Sequence, residues 1–232
     1  SIPVIAASLQ GVEDNPGFSL TVPLIHRMVQ AITIGDLLQK VHLRTRPYEA
    51  VPGSADELMH HWTTIAREHF LDGGHSKTWG RRTSYKAIIN GIVDGFEHLE
   101  LVDGPRKPRV GVLGEILVQF HPDANNHIVD TIESEDCEAV LPGLMWFVYN
   151  CLSAGDYNYK TFGTDKWSRH LKKAFRGLLM QYQKPVTAAL KKSTRFEVPT
   201  PITDLMEDAQ RIVQLGNQAG EGWYLVGEMV DM

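Results

Sequence analysis

Apolar positions recur every three or four residues over most of the first hundred, then give way to short continuous runs. Leu24, Met28, Ala31, Ile32, Leu38 and Val41 keep a helical period from about Pro23 to Arg44. Pro23 suits a first helical turn, and only Gly35 weakens the run. Arg46-Pro47 ends it, because a residue before proline avoids the helical region. Ser54-Ala55-Asp56-Glu57 has the form of a capping box, with Leu58, Trp62, Ile65 and His69 on one stripe behind it. Gly73-Gly74 is the expected stop. Ser84 opens a third helix carrying Tyr85, Ile88, Ile92, Phe96 and Leu99. Upstream, Ile2–Leu9 reads as a buried strand and Gln10–Ser19 as a loop with the turn signal Asn15-Pro16-Gly17.

Gly104-Pro105 and Lys107-Pro108 punctuate the chain, and the pattern changes there. Arg109–Leu113 is a short apolar run ending at Gly114-Glu115. A polar loop with Pro122 and Asn125-Asn126 follows, then a helix with Ile128, Val129 and Ile132 on one face. Glu138–Leu141 is a second run, stopped by Pro142-Gly143. Two such runs around one helix predict a parallel strand–helix–strand unit. Beyond it, residues 142–152 read as a well-buried helix and 155–163 as a loop. Trp167, Leu171, Ala174, Phe175, Leu178 and Tyr182 mark a long amphipathic helix reaching Pro185. Thr203 caps a helix with Leu205, Ala209, Ile212 and Val213, closed by Gly216. A last helix follows Gly220-Glu221-Gly222. The expected fold class is therefore α/β: a Rossmann-like (flavodoxin-like) parallel lobe over 107–232, preceded by a mainly helical segment and the end of another lobe over 1–106.

The 232 residues are 43% apolar, enough for a real core. A net charge of −5 gives no bulk attraction to nucleic acid. No apolar run is long enough for a membrane span, and no basic start marks a signal peptide, so a cytoplasmic location is expected. The chain is expected to be an internal piece of a longer protein, since Ser1 precedes a strand pattern and Met232 ends an apolar helical run.

Candidate chemistry is sparse. Two cysteines do not form a disulfide framework, and Cys137 and Cys151 read as buried structural thiols. His121 and His127 flank Asp123 without a compact zinc spacing, so no metal site is expected. Gly111-x-x-Gly114 is not a dinucleotide fingerprint, and Gly220-Glu221-Gly222 lacks the lysine of a P-loop. In open α/β sheets ligands bind at the carboxyl ends of strands. That end carries Gly114, Glu115, Asn125 and Asn126, and the helix start there offers free N–H groups to an anion. Helix capping explains the asparagines equally well. Arg44, Arg46, Tyr48 and Glu49 are either an exposed helix end or contacts to a phosphate or another lobe. Lys172, Lys173 and Arg176 read as a solvated face.

Three blocks carry a family resemblance: Gly35–Glu49 (GDLLQKVHLRTRPYE), the VGVLGEI…F-x-P-x-A-N-N…EAVLPGL run within 107–143, and Gly220–Met232 (GEGWYLVGEMVDM). In this order they resemble the large acyl-CoA dehydratase activase proteins of the 2-hydroxyacyl-CoA dehydratase and benzoyl-CoA reductase superfamily. The resemblance implies ATP-driven, low-potential electron transfer through iron–sulfur clusters to acyl-CoA chemistry. It implies a [4Fe–4S] cluster in the complete protein with ligands mainly outside this chain, and none bound to this segment, which is not catalytic alone. It implies as partners the other lobe and ATPase domains of the parent, with acyl-CoA substrate or a dehydratase, and no nucleic acid or membrane. It places Gly114, Glu115, Asn125 and Asn126 near an interlobe cleft, and adds Gly220 and Gly222 as cofactor-binding candidates. Two other readings stay open: a structural or partner-docking α/β domain, and an unrelated Rossmann-like nucleotide-binding enzyme.

Overall fold

A computed structural model describes residues 21–72, 77–78, 81–216 and 222–231. The strand expected at Ile2–Leu9, the loop after it, the Gly73-Gly74 stop and the Gly220-Glu221 turn lie outside them. Helix α1 (Val22–Leu43) starts where Thr21 accepts a bond from the Leu24 N–H, with Pro23 in the first turn. A short 3-10 turn, Arg46–Tyr48, follows the pre-proline break. Helix α2 (Ser54–Leu71) departs from the capping-box expectation. Its N-cap is Gly53, at φ 88°, and Ser54 is already helical. The cap is supplied from outside: the Glu49 carboxylate accepts from the N–H groups of Gly53 and Ala55 and from the Ser54 hydroxyl. A two-residue pair, β1 (Lys77–Thr78) with β2 (Arg81–Arg82), separates α2 from α3 (Tyr85–Glu97), which Ser84 caps as expected.

The next stretch corrects the fold class. β3 (Arg109–Gly111) and β4 (Glu138–Val140) do pair in parallel around a helix, in register Arg109↔Glu138, Val110↔Ala139 and Gly111↔Val140. Each has three residues, they form a two-stranded sheet, and β3 is exposed. This is a mainly helical fold and not a Rossmann-like lobe. The physical reason lies in the burial. Most apolar residues that reach the interior do so from helices, Ala139, Phe196 and Leu215 being exceptions, and two clusters hold nearly all of them. Three-residue strands cannot carry a layered α/β core. The polar loop expected after Gly114-Glu115 instead contains α4 (Ile116–Phe120), followed by α5 (Ile128–Ser134).

Four long or closing helices complete the chain: α6 (Leu144–Phe162), α7 (Lys166–Leu190), α8 (Ile202–Gln210) and α9 (Gly222–Asp231). α6 runs through the expected loop at 155–162 and stops at Gly163, which takes the left-handed conformation (φ 64°) open to glycine. α7 runs through Pro185, because Val186, Ala189 and Leu190 beyond it are buried. The N-cap of α8 is Pro201, two residues ahead of the expected Thr203 cap. One cluster joins α1, α2 and α3 to the end of α7; the other joins the start of α1 to α6, α7, α8 and α9. α1 and α7 therefore run through both.

α7 is also turned over relative to its sequence pattern. Trp167, Leu171, Phe175 and Leu178 are 74%, 60%, 41% and 55% exposed. The cationic side faces α6: Arg176 donates to the Ser153 hydroxyl at 2.9 Å, and Arg169 lies over the Tyr159 ring. Of the expected solvated face, Lys172 and Arg176 are half-buried against α6, and Lys173 is exposed. α6 shows the converse: Met145, Tyr149 and Ser153, four residues apart, are buried, and Cys151 on the opposite side is exposed. Cys137 is half-buried on the turn into β4. Neither thiol is the buried residue that its apolar neighbours suggest.

Candidate functional site

The site is built where α1 passes the end of β4 and the start of α6. Asp36, Lys40 and Arg44 stand four residues apart on one edge of α1. Asp36 reaches the start of α6, where its carboxylate accepts from the N–H groups of Leu144 and Met145, both at 2.8 Å. It thereby caps a helix 108 positions away in sequence. Gly143 makes room for it: a Cβ there would lie 2.7 Å from the Asp36 oxygen. Burial pushes the Asp36 carboxyl up to about 6, against the pull of these two backbone bonds.

Arg44 is nearly buried and bridges two carboxylates, Glu138 on β4 and Glu197 on the segment after α7. Glu138 is 2% exposed. It also accepts from the Tyr48 hydroxyl at 2.9 Å and faces Arg109 of β3 at 3.4 Å. Arg46 meets Glu133 of α5 at 2.7 Å and Asp130 at 3.2 Å. The segment Arg44–Glu49, expected as an exposed helix end or a contact to a phosphate or another lobe, instead ties α1 to β4 and α5 of this chain and caps α2 through Glu49.

Between these elements lies a cavity of about 220 Å³. Its lining includes Asp36, Lys40 and Arg44 of α1, Glu138 to Gly143, Thr200 and, from α9, Glu228 and Asp231. Glu228 is 6% exposed, and its Oε1 has no hydrogen-bond partner. Burial, with Asp231 adding to it, pushes the Glu228 carboxyl up to about 7; Lys40 pulls the other way. Burial also lowers the Lys40 amine, with Arg109 and Arg44 in the same sense and Glu197 and Glu228 opposing. Asp231 accepts from the Thr200 hydroxyl at 2.6 Å. α9 sits close to α8 because Gly227 has no side chain; a Cβ there would come 2.8 Å from the Leu205 carbonyl.

Of the residues singled out from sequence, Arg44 lines this cavity; none of the cofactor-binding candidates with a described position does. Glu115 is exposed and caps α4 by accepting from the N–H groups of Leu117 and Val118. Asn125 accepts from the Ile128 N–H and donates to the Gln119 carbonyl, both at 3.3 Å. Asn126 takes a left-handed turn conformation (φ 56°) before α5, and Gly114 meets nothing within 4 Å of a built Cβ. These are turn and capping roles. Gly222 is the first residue of α9, and Gly220 lies outside the described residues. Of the residues missed, Asp36, Lys40, Glu138 and Glu228 had one readable signal, charged residues placed among the apolar positions of helices and a strand; Glu197, on the irregular segment after α7, had none.

His121 and His127 are exposed. Among the described residues no group of three or more His, Cys, Asp or Glu side chains is arranged to hold a metal ion. One half-buried and one exposed cysteine do not supply the thiolate set of an iron–sulfur cluster. Among the described residues no helix is long and apolar enough to cross a membrane. No protein-family model, curated protein or solved structure matches the chain.

Proposed function

We propose that this chain is part of a cytoplasmic acyl-CoA dehydratase activase-like protein, serving ATP-driven, low-potential electron transfer to acyl-CoA chemistry. One observation supports the reading. The three blocks that carry the resemblance are far apart in sequence, yet each contributes to one cavity: Asp36, Lys40 and Arg44 from the first, Glu138 to Gly143 from the second, Glu228 and Asp231 from the third. Residues that share a ligand site or a structural joint must meet in space, and these do. The chain is not catalytic alone in this reading. Its own cysteines make no cluster site, so a [4Fe–4S] cluster belongs to other residues of the complete protein, as do the ATPase domains. The partners are those domains, the acyl-CoA ester and a dehydratase.

The test uses the complete protein that contains this chain, purified without oxygen, with its candidate dehydratase. The expected result is electron transfer that requires ATP. An iron-loaded complete protein that neither hydrolyses ATP nor reduces the dehydratase overturns the reading.

A second reading, a partner-docking helical domain, is favoured by the outward apolar stripe of α7. Amide hydrogen exchange over residues 166–178 separates the two. Protection in the complete protein, absent from the isolated chain, supports docking; equal exchange in both counts against it.

A further inference from the structure

We propose that the cavity binds a small zwitterion, with a cationic amine held at Glu228 and a carboxylate held at Lys40. The proposal stands on the cavity and not on the family reading. Most of its charged lining is already engaged. Both Asp36 oxygens accept from the start of α6. Arg44 is held by Glu138 and Glu197, and Asp231 by Thr200. Two groups are left. Glu228 is 6% exposed and keeps an unpartnered Oε1, although Tyr224 already bonds its carboxyl; the Lys40 amine makes no hydrogen bond or ion pair within 4.0 Å among the described residues and feels Glu197 and Glu228 only at longer range. Both line the same cavity, and they lie too far apart to form an ion pair within 4.0 Å of each other.

The electrical character changes across the space. Lys40, Arg44 and Arg109 set three cations against the two carboxylates Glu138 and Glu197. Glu228 stands beside a second carboxylate, Asp231, on α9. A simple anion would bring its charge toward Glu228, and a simple cation would meet Lys40. An apolar occupant would seal off two unpaired polar groups at high cost. A dipolar molecule satisfies both ends. At roughly 30 Å³ per water, the 220 Å³ cavity holds about seven waters, the size range of a short amino acid. Burial has moved both groups toward their neutral forms, and a charged partner at each end reverses that.

The probes are glycine, β-alanine, γ-aminobutyrate and 6-aminohexanoate, with acetate and methylammonium as half-ligands, titrated calorimetrically into the purified protein. The expected result is that one ω-amino acid binds about tenfold more tightly, or better, than either half-ligand. The chain length preferred reports the gap between Lys40 and Glu228. Lys40→Met and Glu228→Gln each weaken that binding about tenfold or more, whereas Lys184→Met, on an exposed stretch of α7, leaves it unchanged. Each variant is checked for native melting and circular dichroism. Equal binding of ω-amino acids and half-ligands overturns the proposal. So does binding that survives in a folded Lys40→Met, Glu228→Gln double variant.

Discussion

Replacing Glu228 by Gln tests the electrostatics of the cavity through stability alone. Glu228 is 6% exposed, and its carboxyl is raised from 4.5 to about 7, chiefly by burial. A carboxyl whose folded value is raised binds its proton more tightly in the native state. Its stabilising effect is complete below pH 4.5 and is lost as pH rises through about 7. At about 1.4 kcal/mol per unit, the full loss is about 3 kcal/mol. The value of about 7 already includes the attraction of Lys40 for the ionised form. The amide of Gln has the same shape and does not ionise. At pH 5 the variant is expected within about 1 kcal/mol of the parent, because both side chains are neutral there. At pH 8.5 the variant is expected to be more stable by about 1–3 kcal/mol. Urea unfolding of both proteins at half-unit steps from pH 4.5 to 8.5 gives the difference curve, in which other titrating groups, Asp36 included, cancel. A flat difference curve refutes the reasoning, and so does one falling with pH.

Four further outcomes follow from packing and hydrogen bonding. Arg44→Met leaves the buried Glu138 without its main cation and is expected to cost about 3–5 kcal/mol in urea unfolding. Gly91→Ala drives a Cβ to 2.1 Å from the Trp62 ring, so the ring must move; a loss of about 1–3 kcal/mol and altered tryptophan fluorescence are expected. Leu171→Ser on the outward face of α7 is expected to change stability by no more than about 0.5 kcal/mol, whereas Leu205→Ala, 1% exposed, is expected to cost about 2–5 kcal/mol. Asn125→Ala removes a cap at α5 and is expected to cost about 0.5–2 kcal/mol by thermal or urea unfolding.

What the sequence could show was local periodicity. α1 and α3 begin within one residue of where Pro23 and Ser84 place them; the buried face of α3 is the one the spacing marks, whereas α1 buries Leu38 and Val41 of its expected stripe but exposes Met28 and Ala31. The parallel pairing of β3 and β4 was also legible, because two short apolar runs bracket one helix. The error was to extend that pair into a layered sheet. A βαβ pattern shows a unit but not how many strands join it, and here none does among the described residues. α7 failed for a related reason. Its stripe of Trp167, Leu171 and Phe175 has the right period, but periodicity does not say which face meets a neighbour. Arg176 reaching Ser153 settles that in space. The capping box at Ser54 failed because Glu49, five residues upstream, takes the Ser54 hydroxyl, and the N–H groups of Ser54 and Glu57 go to the Val51 and Gly53 carbonyls.

The candidate site escaped the sequence because its joints are long-range and polar. Apolar packing is non-directional: Leu37 and Val41 would be buried against many helix arrangements. The contacts that select one arrangement carry charge or N–H groups in fixed directions. Asp36 can cap α6 only with α1 in one register, and only because Gly143 leaves space for its carboxylate. Arg44 can serve Glu138 and Glu197 together only with β4 and the segment after α7 both in place. A search along the chain for compact motifs looks for partners a few residues apart and so finds Glu115 and Asn125, whose bonds are local. The cavity is set instead by pairs about a hundred residues apart. Those same joints leave Glu228 and Lys40 lining one cavity with no ion pair between them, which is why the chemistry of the site rests on these two residues.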